Sequence, residues 1–234
     1  LTARPRRLPA GLAWACWGLA LALPAAHAAP PSPATPETEP ALARLIAAYE
    51  QVRTLSGSFT QETRFPGFPR PRTYAGTLDL VRPDRMRWDY TEGSGQQVYV
   101  NGRTVTVYVP EAAQAIESRL SPASDRQVPL HLLADVTRIP DTYTVAPGDG
   151  ADALVLTPRD PDPAAPTSVS LWLSPETGLI DRVRLELPGG SRSDIAFRDV
   201  TTNRPVDPAR FEFVAPEGVH QVDADRLVPA GAGR

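Results

Sequence analysis

The pattern of apolar positions changes period once along the chain. Leu42, Leu45, Ile46, Tyr49, Val52 and Leu55 recur at helical spacing, which predicts an amphipathic helix over 41–55. Pro40 suits its start, and Gly57 follows its end. From Gly57 onward apolar and polar residues alternate. "GSFTQET", "YAGTLDLVR", "RMRWDY", "QQVYV" and "TVTVYV" come first. "TYTV", "ALVLTP", "SVSLWLS", "DRVRLEL", "SDIAFRD" and "RFEFVAP" follow. Turn residues separate them: Asn101-Gly102, Gly148 to Gly150, Pro175 to Gly178 and Gly189-Gly190. The reading is a mainly β chain of about ten short strands behind one long helix. Short connections make neighbours antiparallel, and one apolar face per strand makes a sheet that is dry on one side. A single sheet of this width curls or closes.

"VPLHLLADV" (128–136) interrupts the alternation. Leu130, Leu133 and Ala134 stand at helical spacing behind Pro129, which predicts a short second helix. About eight strands form a barrel that its own side chains fill, and more strands leave a hollow. Two apolar helices would cover such a hollow. The inward list is Leu78, Leu80, Met86, Trp88, Tyr90, Val98, Val100, Val105 and Val107. An apolar, lidded cavity suits an acyl chain better than a polar metabolite. The same pattern also fits a core filled by its own side chains.

Arg82 breaks the apolar face. Leu78, Leu80 and Arg82 share one side of a strand, and Pro83 keeps Arg82 extended. A guanidinium there has five donors to satisfy. It either reaches loop carbonyls or the carbonyls at a helix C-terminus, joining sheet to lid, or it extends into water at the strand end.

The beginning of the chain reads as an export signal. Arg4, Arg6 and Arg7 precede the apolar "GLAWACWGLALALP", and "AHA" predicts a cut after Ala28. Residues 29–40 are a Pro-rich spacer, 41–223 the folded domain and 224–234 a tail. Trp14 stands where a lipidation signal at Cys16 needs a small residue. Cys16, the only cysteine, departs with the signal, so no disulfide supports the fold. The signal carries three arginines and no acid, which takes the formal charge from −3 for the chain to −6 for the remainder. That balance argues against a nucleic-acid partner.

Nothing points to catalysis or to a cofactor. His27 leaves with the signal, and His131 and His220 are isolated. No ligand spacing for a metal, nucleophile elbow or phosphate loop occurs. Asp141, Asp149, Asp152, Asp160 and Asp162 read as solvated turn residues.

Five stretches, taken in order, resemble the outer-membrane lipoprotein carrier family LolA of the bacterial periplasm. They are "SFTQ" (58–61), "GTLDLVRPDRMRWDY" (76–90), "VNGRTVTVYVPEAAQA" (100–115), "PLHLLAD" (129–135) and "NRPVDPARFEFVAPEGVHQVD" (203–223). The resemblance implies an unclosed antiparallel β-barrel with a helical lid. It implies a monomeric periplasmic shuttle that takes lipoproteins from an inner-membrane ABC transporter to an outer-membrane receptor. It also ties the arginine matching Arg82 to lid closure, and it matches Met86 and Trp88 to inner positions. Relatives of the fold leave two alternatives: a carrier of another amphiphile such as a glycolipid, or a regulator that senses lipid or lipoprotein. The loop "RFPGFPRPR" (64–72) departs from the polar connection expected of the family.

Overall fold

The computed structural model describes residues 38–119, 132–133, 135–161, 163 and 165–224. The expected signal, most of the spacer, and the tail beyond Ala224 lie outside the described residues. So do Leu130, His131, Ala134 and Asp162.

Strand β1 (Thr54–Arg64) is the seam of the structure. On one side it pairs with β2 (Arg72–Val81), and the sheet continues through β3 (Arg85–Glu92), β4 (Gln97–Asn101), β5 (Thr104–Val109) and β6 (Gln114–Arg119). On its other side it pairs with β11 (Arg192–Thr202). The sheet then runs backward through β10 (Ile180–Glu186), β9 (Ser168–Leu173), β8 (Ala153–Pro158) and β7 (Tyr143–Pro147). All these pairs are antiparallel. Strand β12 (His220–Asp223) adds to β6 in parallel. The result is one open sheet of twelve strands with edges at β12 and β7, not a closed barrel.

Helix α1 (Glu39–Glu50) buries Ala41, Leu42, Leu45 and Tyr49. They join inward residues of both halves of the sheet, among them Phe59, Leu80, Trp88, Leu154, Leu171 and Ile195, in one hydrophobic cluster. Leu132, Leu133, Val136 and Ile139 enter the same cluster from the segment that precedes β7. Residues 132–133 are helical there. A 3₁₀ turn (Val136–Arg138) and a short helix (Ile139–Thr142) follow.

The predicted helix over 41–55 ends five residues early, and Gly57 lies inside β1 rather than after a helix. Asn203 imposes the stop. Its side chain accepts from the Arg53 amide at 2.8 Å and donates to the Gln51 carbonyl at 2.9 Å. Its own amide donates to the Thr54 carbonyl. Leu55 then pairs with Leu80 and Thr202, so ladder bonds replace helical ones while its side chain stays in the core. "RFEFVAP" is not a strand. Asp207 caps a 3₁₀ turn at Pro208–Phe211, and Phe211 and Phe213 lie on the outer face of the sheet. Strands β6 and β12 escaped the sequence reading because their polar residues blur the alternation. The Asn101-Gly102 signal falls where Asn101 pairs with Thr104, leaving Gly102, at φ +60°, and Arg103 as the loop.

Gly76 is the tightest point of the β2–β3 ladder. A Cβ there would lie 1.8 Å from the Asp89 carbonyl oxygen and 2.9 Å from the Phe59 ring. Gly76→Ala is expected to cost about 3 kcal/mol, at the upper end for overpacking, read from the denaturation midpoint. A midpoint equal to wild type would show that the ladder can shift there at no cost.

Candidate functional site

The concave face is apolar where α1 crosses it. Leu78, Leu80, Met86, Trp88, Val98, Val100 and Val105 are buried, and Tyr90 and Val107 pack partly buried beside them. Leu133 reaches the same space from the covering segment. Aromatic rings form its floor. Phe59 lies 4.4 Å from Trp88 and 5.1 Å from Tyr90 between centroids, and Phe197 meets Trp88 edge-on at 6.0 Å.

Among the described residues, the pocket beneath the last turn of α1 holds about 10 Å³ between Tyr49, Leu55, Leu78, Leu80, Leu133, Ile180, Phe197 and Val200. That is room for about one water. At this place α1 and Leu133 lie close on the sheet, and anything larger enters only by displacing them.

Arg82 stands at the margin of this arrangement, one residue beyond β2. Its Nη1 donates to the carbonyl oxygen of Tyr49, in the last turn of α1, at 2.5 Å. A second nitrogen, Nη2, lies 3.8 Å from the Asp135 carboxylate. Asp135 in turn caps the turn that follows it, accepting from the Thr137 amide at 3.2 Å. One guanidinium thus touches both α1 and the 132–142 segment, which cover the apolar face among the described residues. The Tyr49 contact is the stronger: a charged donor joins the Val52 amide, 3.0 Å away, on a carbonyl oxygen that has two lone pairs to offer. The Asp135 pair is long, and the acid is 42% exposed, so its contribution is small. Midway along α1, Arg44 forms an ion pair with Asp152, just before β8.

The inner face turns polar at the far end of β1. The Tyr90 hydroxyl donates to Gln61 at 3.0 Å, and Gln61 donates to Thr63 at 3.1 Å. Thr63 shares a hydrogen bond with Ser193 at 2.9 Å. The Trp88 indole nitrogen is buried without a hydrogen-bond partner of normal geometry.

Among residues the sequence reading passed over, Ile180, Phe197 and Val200 carry the right alternation. A single strand's pattern does not say which strands face each other across a curl. Asp135 and Asn203 gave no signal beyond being polar in a turn. The out-of-phase position of Trp172 between Leu171 and Leu173 also has its explanation in the structure. It lies on the outer face, with the Arg182 guanidinium 3.6 Å from its ring centroid. Among the described residues no group of three or more His, Cys, Asp or Glu could hold a metal, and no helix is long and apolar enough to cross a membrane.

Desolvation pushes the Tyr90 hydroxyl up to about 12 and pushes Tyr49 upward as well. The folded state holds these protons more tightly than the unfolded chain, whose tyrosines titrate near 10. Stability is thus fully present below pH 10 and is lost as pH rises toward 12. The unfolding free energy should fall there by about 1.4 kcal/mol per pH unit for each such tyrosine. Tyr90→Phe should flatten that slope in alkaline denaturation. An unchanged slope would place the loss elsewhere.

Residues 50–214 match the family described as "Outer membrane lipoprotein carrier protein LolA". An outer-membrane lipoprotein carrier protein of Chromohalobacter salexigens is 30% identical over 177 residues, covering 75% of this chain and 83% of that one. One from Pseudomonas paraeruginosa is 29% identical over 182 residues, covering 76% and 86%. A crystal structure of a LolA superfamily protein from Nitrosomonas europaea superposes with a TM-score of 0.46 at 16% identity, over 74% of this chain and 97% of that one.

Proposed function

This chain belongs to the LolA outer-membrane lipoprotein carrier family, and we propose that it is a non-enzymatic periplasmic carrier of lipoproteins. Its domain spans 41–223 and holds the acyl anchor against the inner face formed by Leu78, Leu80, Met86, Trp88, Tyr90, Val98, Val100, Val105 and Val107. Leu133 belongs to the cover, and Leu130, outside the described residues, keeps the lipid-contacting role expected from the sequence. It takes cargo from an inner-membrane ABC transporter and gives it to an outer-membrane receptor, after export and cleavage near Ala28.

The observation that carries the reading is the bond from Arg82 to the Tyr49 carbonyl beside an apolar face lined by Leu78, Leu80, Leu133 and Phe197. Each methylene that leaves water contributes about 0.8 kcal/mol. A lipid anchor therefore needs shelter throughout its passage. A cavity as favourable as a bilayer would retain its cargo. Here, entry of an acyl chain has to displace Leu42, Leu45 and Tyr49 of α1 and Leu133 of the cover, which return to the same face once the chain leaves. Arg82 acts as the latch: it holds α1 down when no cargo is bound, and it recaptures the Tyr49 carbonyl as cargo departs. Closure thus assists release.

Arg82→Leu removes a charge-assisted hydrogen bond worth about 2 kcal/mol. The variant should bind a hydrophobic dye more strongly than wild type and still take up lipoprotein. It should deliver that lipoprotein to receptor-bearing membranes more slowly, as seen by following a lipidated reporter. Delivery at the wild-type rate would refute the latch. Failure of wild type to take up lipoprotein would refute the carrier reading itself.

A further inference from the structure

The β1–β2 connection is built unlike the rest of the surface. Phe65-Pro66-Gly67-Phe68 closes a β-turn in which the Phe68 amide donates to the Phe65 carbonyl at 3.1 Å. Proline occupies its second position and Gly67, at φ +80°, its third, the pattern of a type II turn. The turn sets the two phenylalanine rings edge to face, 6.3 Å apart. Phe68 is 65% exposed, and Val214 is the other large apolar residue so exposed among the described residues. Two prolines, Pro69 and Pro71, stiffen the return to β2.

Charge surrounds these rings on one side of the ledger only. Residues 64–72 hold Arg64, Arg70 and Arg72 and no acid, in a chain whose formal charge is −3. Arg64 is paired with Glu62 at 2.5 Å. Arg70 and Arg72 are exposed and have no ion-pair partner among the described residues. The Arg72 guanidinium lies 5.6 Å from the Phe65 ring centroid, so it shares the face that the aromatics present.

The geometry points to this loop as a contact for an anionic bilayer surface. An exposed ring on a rigid turn supplies the apolar contact, and unpaired guanidiniums supply attraction to phosphate-bearing headgroups. Neither alone holds a protein at a membrane, and the two together give a reversible attachment. Proteins avoid displaying an unsupported aromatic, and acidic residues beside it would repel such a surface. The loop shows the first feature and lacks the second. It also stands nine residue pairs along the ladder from the Thr54–Val81 pair beside Arg82, about 30 Å of strand. Contact here leaves the latch untouched.

Co-sedimentation of the purified protein with vesicles tests this. Vesicles of phosphatidylethanolamine with phosphatidylglycerol should bind wild type, weakly and with loss in salt. Vesicles of phosphatidylcholine alone should bind it far less. Phe65→Ser with Phe68→Ser should abolish binding, and each of Arg70→Ser and Arg72→Ser should weaken it about fivefold. These positions are exposed or partly so, and circular dichroism should report an unchanged fold. Equal binding of the double phenylalanine variant, or no binding of wild type to anionic vesicles, would overturn the assignment. So would wild type that ignores vesicles while the double variant loses transfer to receptor, since the loop would then meet a protein. The vesicle assay needs no cargo, so its failure leaves the carrier reading standing.

Discussion

A sheet of twelve strands that curls without closing has more concave apolar face than its own side chains can fill. The rest of this structure answers that constraint. Helix α1 lays Leu42, Leu45 and Tyr49 into the hollow, and the 132–142 segment adds Leu133, Val136 and Ile139. These contacts are large in sum and chemically undemanding, because an acyl chain offers the sheet much the same surface. Exchange of one for the other therefore changes the apolar balance little. In the proposed carrier cycle the polar fasteners along α1 decide the outcome. Arg44 meets Asp152 midway along the helix, and Arg82 and Asn203 hold its last turn and the chain after it. The exposed Arg44 pair and the Asn203 bonds are worth about 1 kcal/mol or less each and the Arg82 bond about 2, small enough to break and re-form.

The convex face is treated in the opposite way. Asp79, which points outward from β2, accepts from the Ser56 hydroxyl at 2.6 Å and from Arg210 Nε at 3.0 Å. Arg87 reaches back to the Arg210 carbonyl, and Phe213 rests on Tyr99 and Tyr108. The C-terminal segment is thereby strapped across β2 to β6 by bonds an apolar guest cannot replace. One face of the sheet is covered by contacts that lipid can imitate, and the other by contacts that it cannot. In the proposed carrier cycle this asymmetry lets one side open while the sheet keeps its shape.

Much of this was legible in the residues. Alternation placed ten of the twelve strands and gave the inward faces of β2 to β5 correctly, because one buried side per strand leaves a strong period. The boundary of α1 was not legible: Val52 and Leu55 keep helical spacing, and their departure is forced by Asn203, about 150 positions later in the chain. "RFEFVAP" alternates as a strand does, yet its apolar residues settle on rings of the sheet instead of forming a ladder. Arg82 was legible as an oddity from its phase with Leu78 and Leu80. That its partner would be the Tyr49 carbonyl was not, since a carbonyl leaves no mark in sequence. How closely α1 lies on the sheet near Tyr49 was also beyond the pattern, which fixes faces but not the distance across them.

The β1–β11 seam has a consequence for how such a chain is made. It joins residues 55–64 to 192–202, so the two halves of the sheet are sewn together by segments about 140 residues apart. A chain that arrives end first, whether from a ribosome or through a membrane channel, carries β1 with one bare edge until nearly all of it has emerged. The hydrophobic cluster needs both halves, and α1 has no finished floor to rest on before then. Such a chain stays threadable for most of its passage and becomes compact only when its last strands appear.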